Sequence, residues 1–119
     1  MIAEIYCKVF NFLIIKIMKV DFNKMIKTYK GEDMIDSSTN KPLSMRDFLC
    51  GCLFLYQDST TPDEKYMAWK LLNKINVPGS VDITVEEAAL IKKASSPRSQ
   101  AGIFGQIVDT IEGKENVCK

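Results

Sequence analysis

Histidine is absent from all 119 residues. The chain therefore lacks the commonest metal ligand and the usual general base at neutral pH. Charge of one sign is missing too: 16 basic residues face 15 acidic ones, a net charge of +1. So balanced a chain has no bulk attraction for nucleic acid or an anionic membrane, although a local basic pocket remains open to it. Cysteine is sparse, at Cys7, Cys50, Cys52 and Cys118. Cys50 and Cys52, two apart on a helix, point in nearly opposite directions and can neither pinch one ion nor bridge easily. No second pair sits at zinc-ribbon spacing. These thiols read as small buried hydrophobes in a reducing cytoplasm.

Catalytic and phosphate-binding signatures are also missing. There is no phosphate loop, no GxGxxG, no GxSxG elbow and, without histidine, no HExxH. No nucleophile is paired with a base, so the sequence argues against an enzyme, a cofactor or a resident metal. Asp63, Glu64, Glu86 and Glu87 are accounted for as helix-start charges that complement the dipole. Gly102-Ile103-Phe104-Gly105 has small-xx-small spacing, which on a water-facing helix reads as close packing.

What is present is ordinary for one globular domain: 46% hydrophobic and 26% charged residues. The first seventeen residues, MIAEIYCKVFNFLIIKI, differ from the rest. Their uncharged run from Val9 to Ile15 is shorter than a membrane span, and no small-x-small cleavage site follows. They read as an over-extended start or an extra helix, with the globular domain over 18–113 and a frayed tail over 114–119. A membrane-surface anchor is the weaker option, since the segment has no basic polar face.

The domain is organised around Ser44 to Tyr56, SMRDFLCGCLFLY. At helical pitch Phe48, Leu49, Cys52, Leu55 and Tyr56 fill one side, and Cys50, Leu53 and Phe54 the other. A helix apolar all round is expected to be buried. Ser44-x-x-Asp47 resembles an N-terminal cap, and Leu43 with Phe48 has staple spacing. Before it, Met18-Lys19-Val20-Asp21-Phe22 alternates like a half-buried strand, Lys30-Gly31 suggests a turn, and Met34-Ile35 suggests a returning strand.

Behind it, Thr61-Pro62-Asp63-Glu64 opens a helix to about Ile75, with Met67, Ala68, Leu71, Leu72 and Ile75 inward. Val81-Asp82-Ile83 is extended. Thr84-Val85-Glu86-Glu87 caps a further helix, with Val85, Ala88, Ala89, Ile91 and Ala94 inward. Ser96-Pro97 starts the last one, Pro97 to Glu112, which Gly113 ends. The expected fold is α+β, a short N-terminal β-hairpin with about four helices and helix 44–56 buried in the middle.

Two surface features go further. Lys24, Lys27 and Lys30 recur every three residues and would form a phosphate-holding stripe if helical. If extended, the stripe disperses. On the helix from Pro62, Tyr66, Trp69 and Asn73 fall beside the core-facing side. They either roof its rim or anchor a partner or a self-association contact.

From Met18 to Gly113 the chain resembles a loose group of small accessory proteins of tailed bacteriophages and prophages. The strings that carry this are an MKVDFN-like opening strand, Pro42-Leu43-Ser44-Met45-Arg46-Asp47-Phe48-Leu49, the run from Val81 to Lys92, and Gly105 to Gly113. The resemblance implies a cytoplasmic protein of an infected or lysogenic bacterium that works by binding something. It carries over no functional residues. The leading expectation is a non-enzymatic protein acting by protein–protein contact, with homo-oligomerisation among the options. The alternative is a nucleotide- or nucleic-acid-binding protein using Lys24, Lys27 and Lys30 with Lys92, Lys93 and Arg98.

Overall fold

The computed structural model describes residues 17–57 and 61–113. The expectations for residues 1–16 and the tail lie outside these. Elements follow in the order β1 (Ile17–Asp21), β2 (Ile35–Asp36), β3 (Lys41–Pro42), α1 (Met45–Phe54), α2 (Pro62–Ile75), β4 (Ser80–Thr84), α3 (Val85–Ser95), a 3-10 turn (Ser96–Arg98) and α4 (Ala101–Glu112). The class is α+β, with four helices and two small antiparallel sheets among the described residues.

Alternation in β1 does what it implied: Val20 and then Phe22 turn inward while Lys19 and Asp21 face water. Its partner is not Met34-Ile35 but β4, paired antiparallel from Ile17↔Thr84 to Asp21↔Ser80. Met18 faces Ile83 and Val20 faces Val81 across the ladder, so apolar pairs share the inner face. Lys19 and Asp82 pair at 3.5 Å on the outer one. The short hairpin of the N-terminal third is β2 with β3. Periodicity tells which face of a strand is buried, but not which distant strand completes it.

The helix starts follow their capping chemistry. Ser44, Thr61 and Thr84 each accept a hydrogen bond from the backbone three residues on. At Thr84 the box closes both ways: its N–H donates to Glu87 Oε1 at 2.9 Å, and Glu87 N–H donates to Thr84 Oγ1 at 3.1 Å. Lys74 holds the same carboxylate at 2.8 Å, tying α2 to the start of α3. At the far end Gly113 takes φ 76°, the left-handed cap that a Cβ would strain.

The last helix begins later than its Ser-Pro signal suggested. Ser96 and Pro97 form the 3-10 turn, Ser99 is extended, and Gln100 is the N-cap residue of α4. Ser95 is fully buried and donates to the Ile91 carbonyl at 2.8 Å, which holds the end of α3 tight before that turn.

One core gathers Val20 and Phe22 from the N-terminal stretch and Leu49 and Leu53 from α1. Leu71 and Ile75 of α2, Ile83 of β4, Leu90 and Ile91 of α3 and Ile107 and Ile111 of α4 complete it. Leu90 was not expected inside. Val85 and Met67 were, yet both are exposed.

Candidate functional site

α1 departs most from its sequence. Met45, Leu49, Cys52 and Leu53 are buried, but Phe54 is 67% exposed and Leu55 54%. The helix is not enclosed. Neighbours α2 and α3 pack along its inner side, leaving an outer side of Asp47, Gly51, Phe54 and Leu55 open to solvent. Phe48 and Cys50 are half-buried flanks. An apolar pattern shows that a helix lacks a polar face, not how many neighbours arrive to cover it.

Beside the open side runs a groove of about 340 Å³ between α1 and the turn after α3. Leu43, Phe48, Cys52 and Leu55 line its apolar part, and Asp36, Asp47 and Arg98 its polar part. Arg98 is set by its own hydrogen bond: Nη2 donates to the Leu55 carbonyl at 2.8 Å. One orphan carbonyl of the α1 C-terminus is thereby satisfied, and a cation is placed where the dipole favours it. Asp36 accepts from the Ser38 hydroxyl at 2.8 Å and the Ser38 N–H at 3.0 Å. These bonds hold its carboxyl below the usual carboxylate range.

Burial pushes the thiols of Cys50 and Cys52 up, with Asp47 adding to the effect at Cys50. Neither is activated as a nucleophile. Among the described residues no three His, Cys, Asp or Glu side chains come together as metal ligands. No helix among them is long and apolar enough to cross a membrane.

Tyr66, Trp69 and Asn73 share one edge of α2, outside the core, with Tyr66 62% and Trp69 48% exposed. Asn73 turns its amide back to the Trp69 carbonyl at 3.1 Å. Lys70 Nζ sits 5.2 Å from the centre of the Tyr66 ring. None of the three residues lines the groove beside α1. The site has two separate apolar surfaces, and only the α2 one was named from sequence. The sequence carried no signal that Phe54 and Leu55 would be exposed.

The lysine stripe does not form. The stretch from Met25 to Lys27 is extended, bridging Ser44 and Asp33 rather than coiling. Lys27 is ion-paired with Asp33, and Lys30 lies over the Tyr29 ring at 5.9 Å. Lys24 and Lys27 line one cavity of about 300 Å³, which Asp109 shares and Lys30 does not reach. Lys92 pairs with Glu112 at 3.4 Å and Lys93 with Glu64 at 3.2 Å.

No family model matches the chain, and no similar protein was found among curated sequences or solved structures.

Proposed function

We propose that this chain is a non-enzymatic accessory protein that acts by protein–protein contact in the cytoplasm of a bacterial host. One observation supports the contact: Phe54 and Leu55 stand in water at the end of a helix that has no polar face. Exposing large apolar side chains beside one another costs hydration free energy, and such patches mark interaction sites when rimmed by polar groups. On the Leu55 side, Asp36, Asp47 and Arg98 line the groove and supply that rim. Tyr66 and Trp69, of the types most enriched at binding hot spots, offer a second anchor on α2. The phage-type origin rests on the sequence resemblance alone.

A double variant Phe54→Ser/Leu55→Ser tests the reading. It should keep the thermal midpoint of the parent while losing association with its protein partner. If association survives unchanged, the open face of α1 is not the contact surface.

A further inference from the structure

Helices α2 and α3 are tied together at both ends and open in between. Glu64, in the first turn of α2, holds Lys93 in the last turn of α3 at 3.2 Å. Lys74, in the last turn of α2, holds Glu87 in the first turn of α3 at 2.8 Å. The two helices therefore run antiparallel. Between them, away from the open face of α1, lies a groove of about 570 Å³. Leu90 is its buried floor, while Met67 is 43% exposed and Ala89 is exposed beside it. Helical periodicity puts Met67 and Ala89 on core-facing arcs, yet no described element covers them.

The groove is acidic on a chain that is not. Asp63, Glu64 and Glu86 line it against Lys93 alone, whereas the whole chain carries +1. Lys93 answers Glu64, but Asp63 and Glu86 make no ion pair among the described residues. Each stands in the first turn of its helix, where the dipole favours a carboxylate. That leaves its acceptor oxygens open to a donor.

We infer that this groove receives an amphipathic helix of a partner protein, apolar where it faces Met67 and Ala89 and cationic at each end of that face. This is the helix-in-groove mode of recognition, with the sign of the partner set by the rim. Asp63 adjoins Glu64, the partner of Lys93, and Glu86 is seven residues before Lys93. The two carboxylates thus lie about 10 Å apart along α3. A partner helix spans that distance with Lys or Arg at i and i+7 and leucine-like residues at i+3 and i+4, all on one face. So short a face buries less than the ~800 Å² per partner of a standard interface, so binding is micromolar or weaker.

NMR titration of the isotope-labelled full chain with three synthetic helical peptides tests this. The first carries Lys at i and i+7 and Leu at i+3 and i+4; the second has Glu in place of both Lys. The third moves the second Lys to i+9, on the opposite side of the helix at about 100° per residue. The first peptide should bind below about 1 mM and shift the amides of Met67, Ala89 and Leu90 while those of Phe54 and Leu55 stay still. The second should not bind, and the third should bind severalfold more weakly. Asp63→Asn/Glu86→Gln should weaken the first peptide about two- to thirtyfold, the range for two exposed charge pairs. Ala89→Gln should block it with helix content unchanged, because the position is exposed on its helix. No shift from the first peptide at 1 mM overturns the inference, as does equal binding of the first peptide and either of the others. So does an unchanged affinity in either variant, or a shift centred on Phe54 and Leu55, which would assign the peptide to α1 instead. Failure here leaves the α1 contact reading standing, since that rests on different residues.

Discussion

The side-chain amide of Gln106 holds the main chain of Lys27 from both sides. Gln106 Oε1 accepts from the Lys27 N–H at 2.9 Å, and Gln106 Nε2 donates to the Lys27 carbonyl at 2.8 Å. An amide presents the same donor and acceptor as a peptide group, so Gln106 stands in for a neighbouring strand. Two buried neighbours of this clasp, Ile26 and Ile107, join the irregular N-terminal stretch to α4.

Removing that clasp leaves both backbone groups of Lys27 to water. Gln106→Ala should destabilise by about 1–3 kcal/mol in urea unfolding. Gln100→Ala, whose side chain makes no capping bond, should stay within roughly 0.5 kcal/mol. Equal effects would show that the clasp contributes nothing.

The two sides of α1 should respond differently to truncation. Leu53 is 3% exposed, so Leu53→Ala should cost about 2–5 kcal/mol. Phe54→Ala next door should cost no more than about 0.5 kcal/mol, an ordinary surface value. A large loss at Phe54 would mean that the ring is covered in solution.

The thiols set a pH dependence. Burial raises the folded-state pKa of Cys50 and Cys52 above the ordinary value of 9.0. The folded chain then holds these protons more tightly than the unfolded one. Stability is full below the ordinary thiol value and is lost as pH rises from it through the folded value. In a Cys7→Ser/Cys118→Ser background, a thiol reagent at pH 8 should modify Cys52 more slowly than the unfolded chain. Equal rates would contradict the burial.

At the acid end the sign reverses. Hydrogen bonds from the Asn23 N–H and amide lower the pKa of Asp21, and those from Ser38 lower that of Asp36. Their contribution is present above the ordinary carboxylate value and is lost as pH falls through the folded value. Both groups are solvated, so the slope is shallow. Asn23→Ala should reduce the Asp21 part, and it also releases the bond from Asn23 Nδ2 to the Gly79 carbonyl at 3.0 Å. Carboxylate titrations followed by NMR would read both shifts. Because alanine keeps the Asn23 N–H, the larger contribution remains, and an Asp21 value unmoved by the substitution would contradict the share of the Asn23 amide.

Local chemistry was legible in the sequence wherever it acts within one turn. The caps at Ser44, Thr61 and Thr84 and the stop at Gly113 fall where their residue types place them. The strand faces of Met18 to Phe22 were legible for the same reason. The pairing of β1 with β4 was not, because it joins residues some sixty apart and alternation is silent about partners. Ser96-Pro97 carries a helix-start signal that a 3-10 turn satisfies equally well, since neither kind of first turn uses the N–H that proline lacks. Of the candidate site, Tyr66 and Trp69 were legible because their angle from Ala68 fixes their place on α2. The opening of α1 depends on how many helices surround it, which no single stretch encodes. Gln106 is a polar residue of α4, and only the tertiary arrangement brings Lys27 to it.

In-cell photocrosslinking tests the central claim, that the open face of α1 meets a protein. A photoreactive phenylalanine analogue replaces Phe54 in one chain and the exposed Glu32 in another, each expressed in a bacterial host. The account predicts a discrete protein adduct, to a second copy or another chain, from position 54 and none from position 32. No adduct at position 54, or the same adducts from both positions, would contradict it.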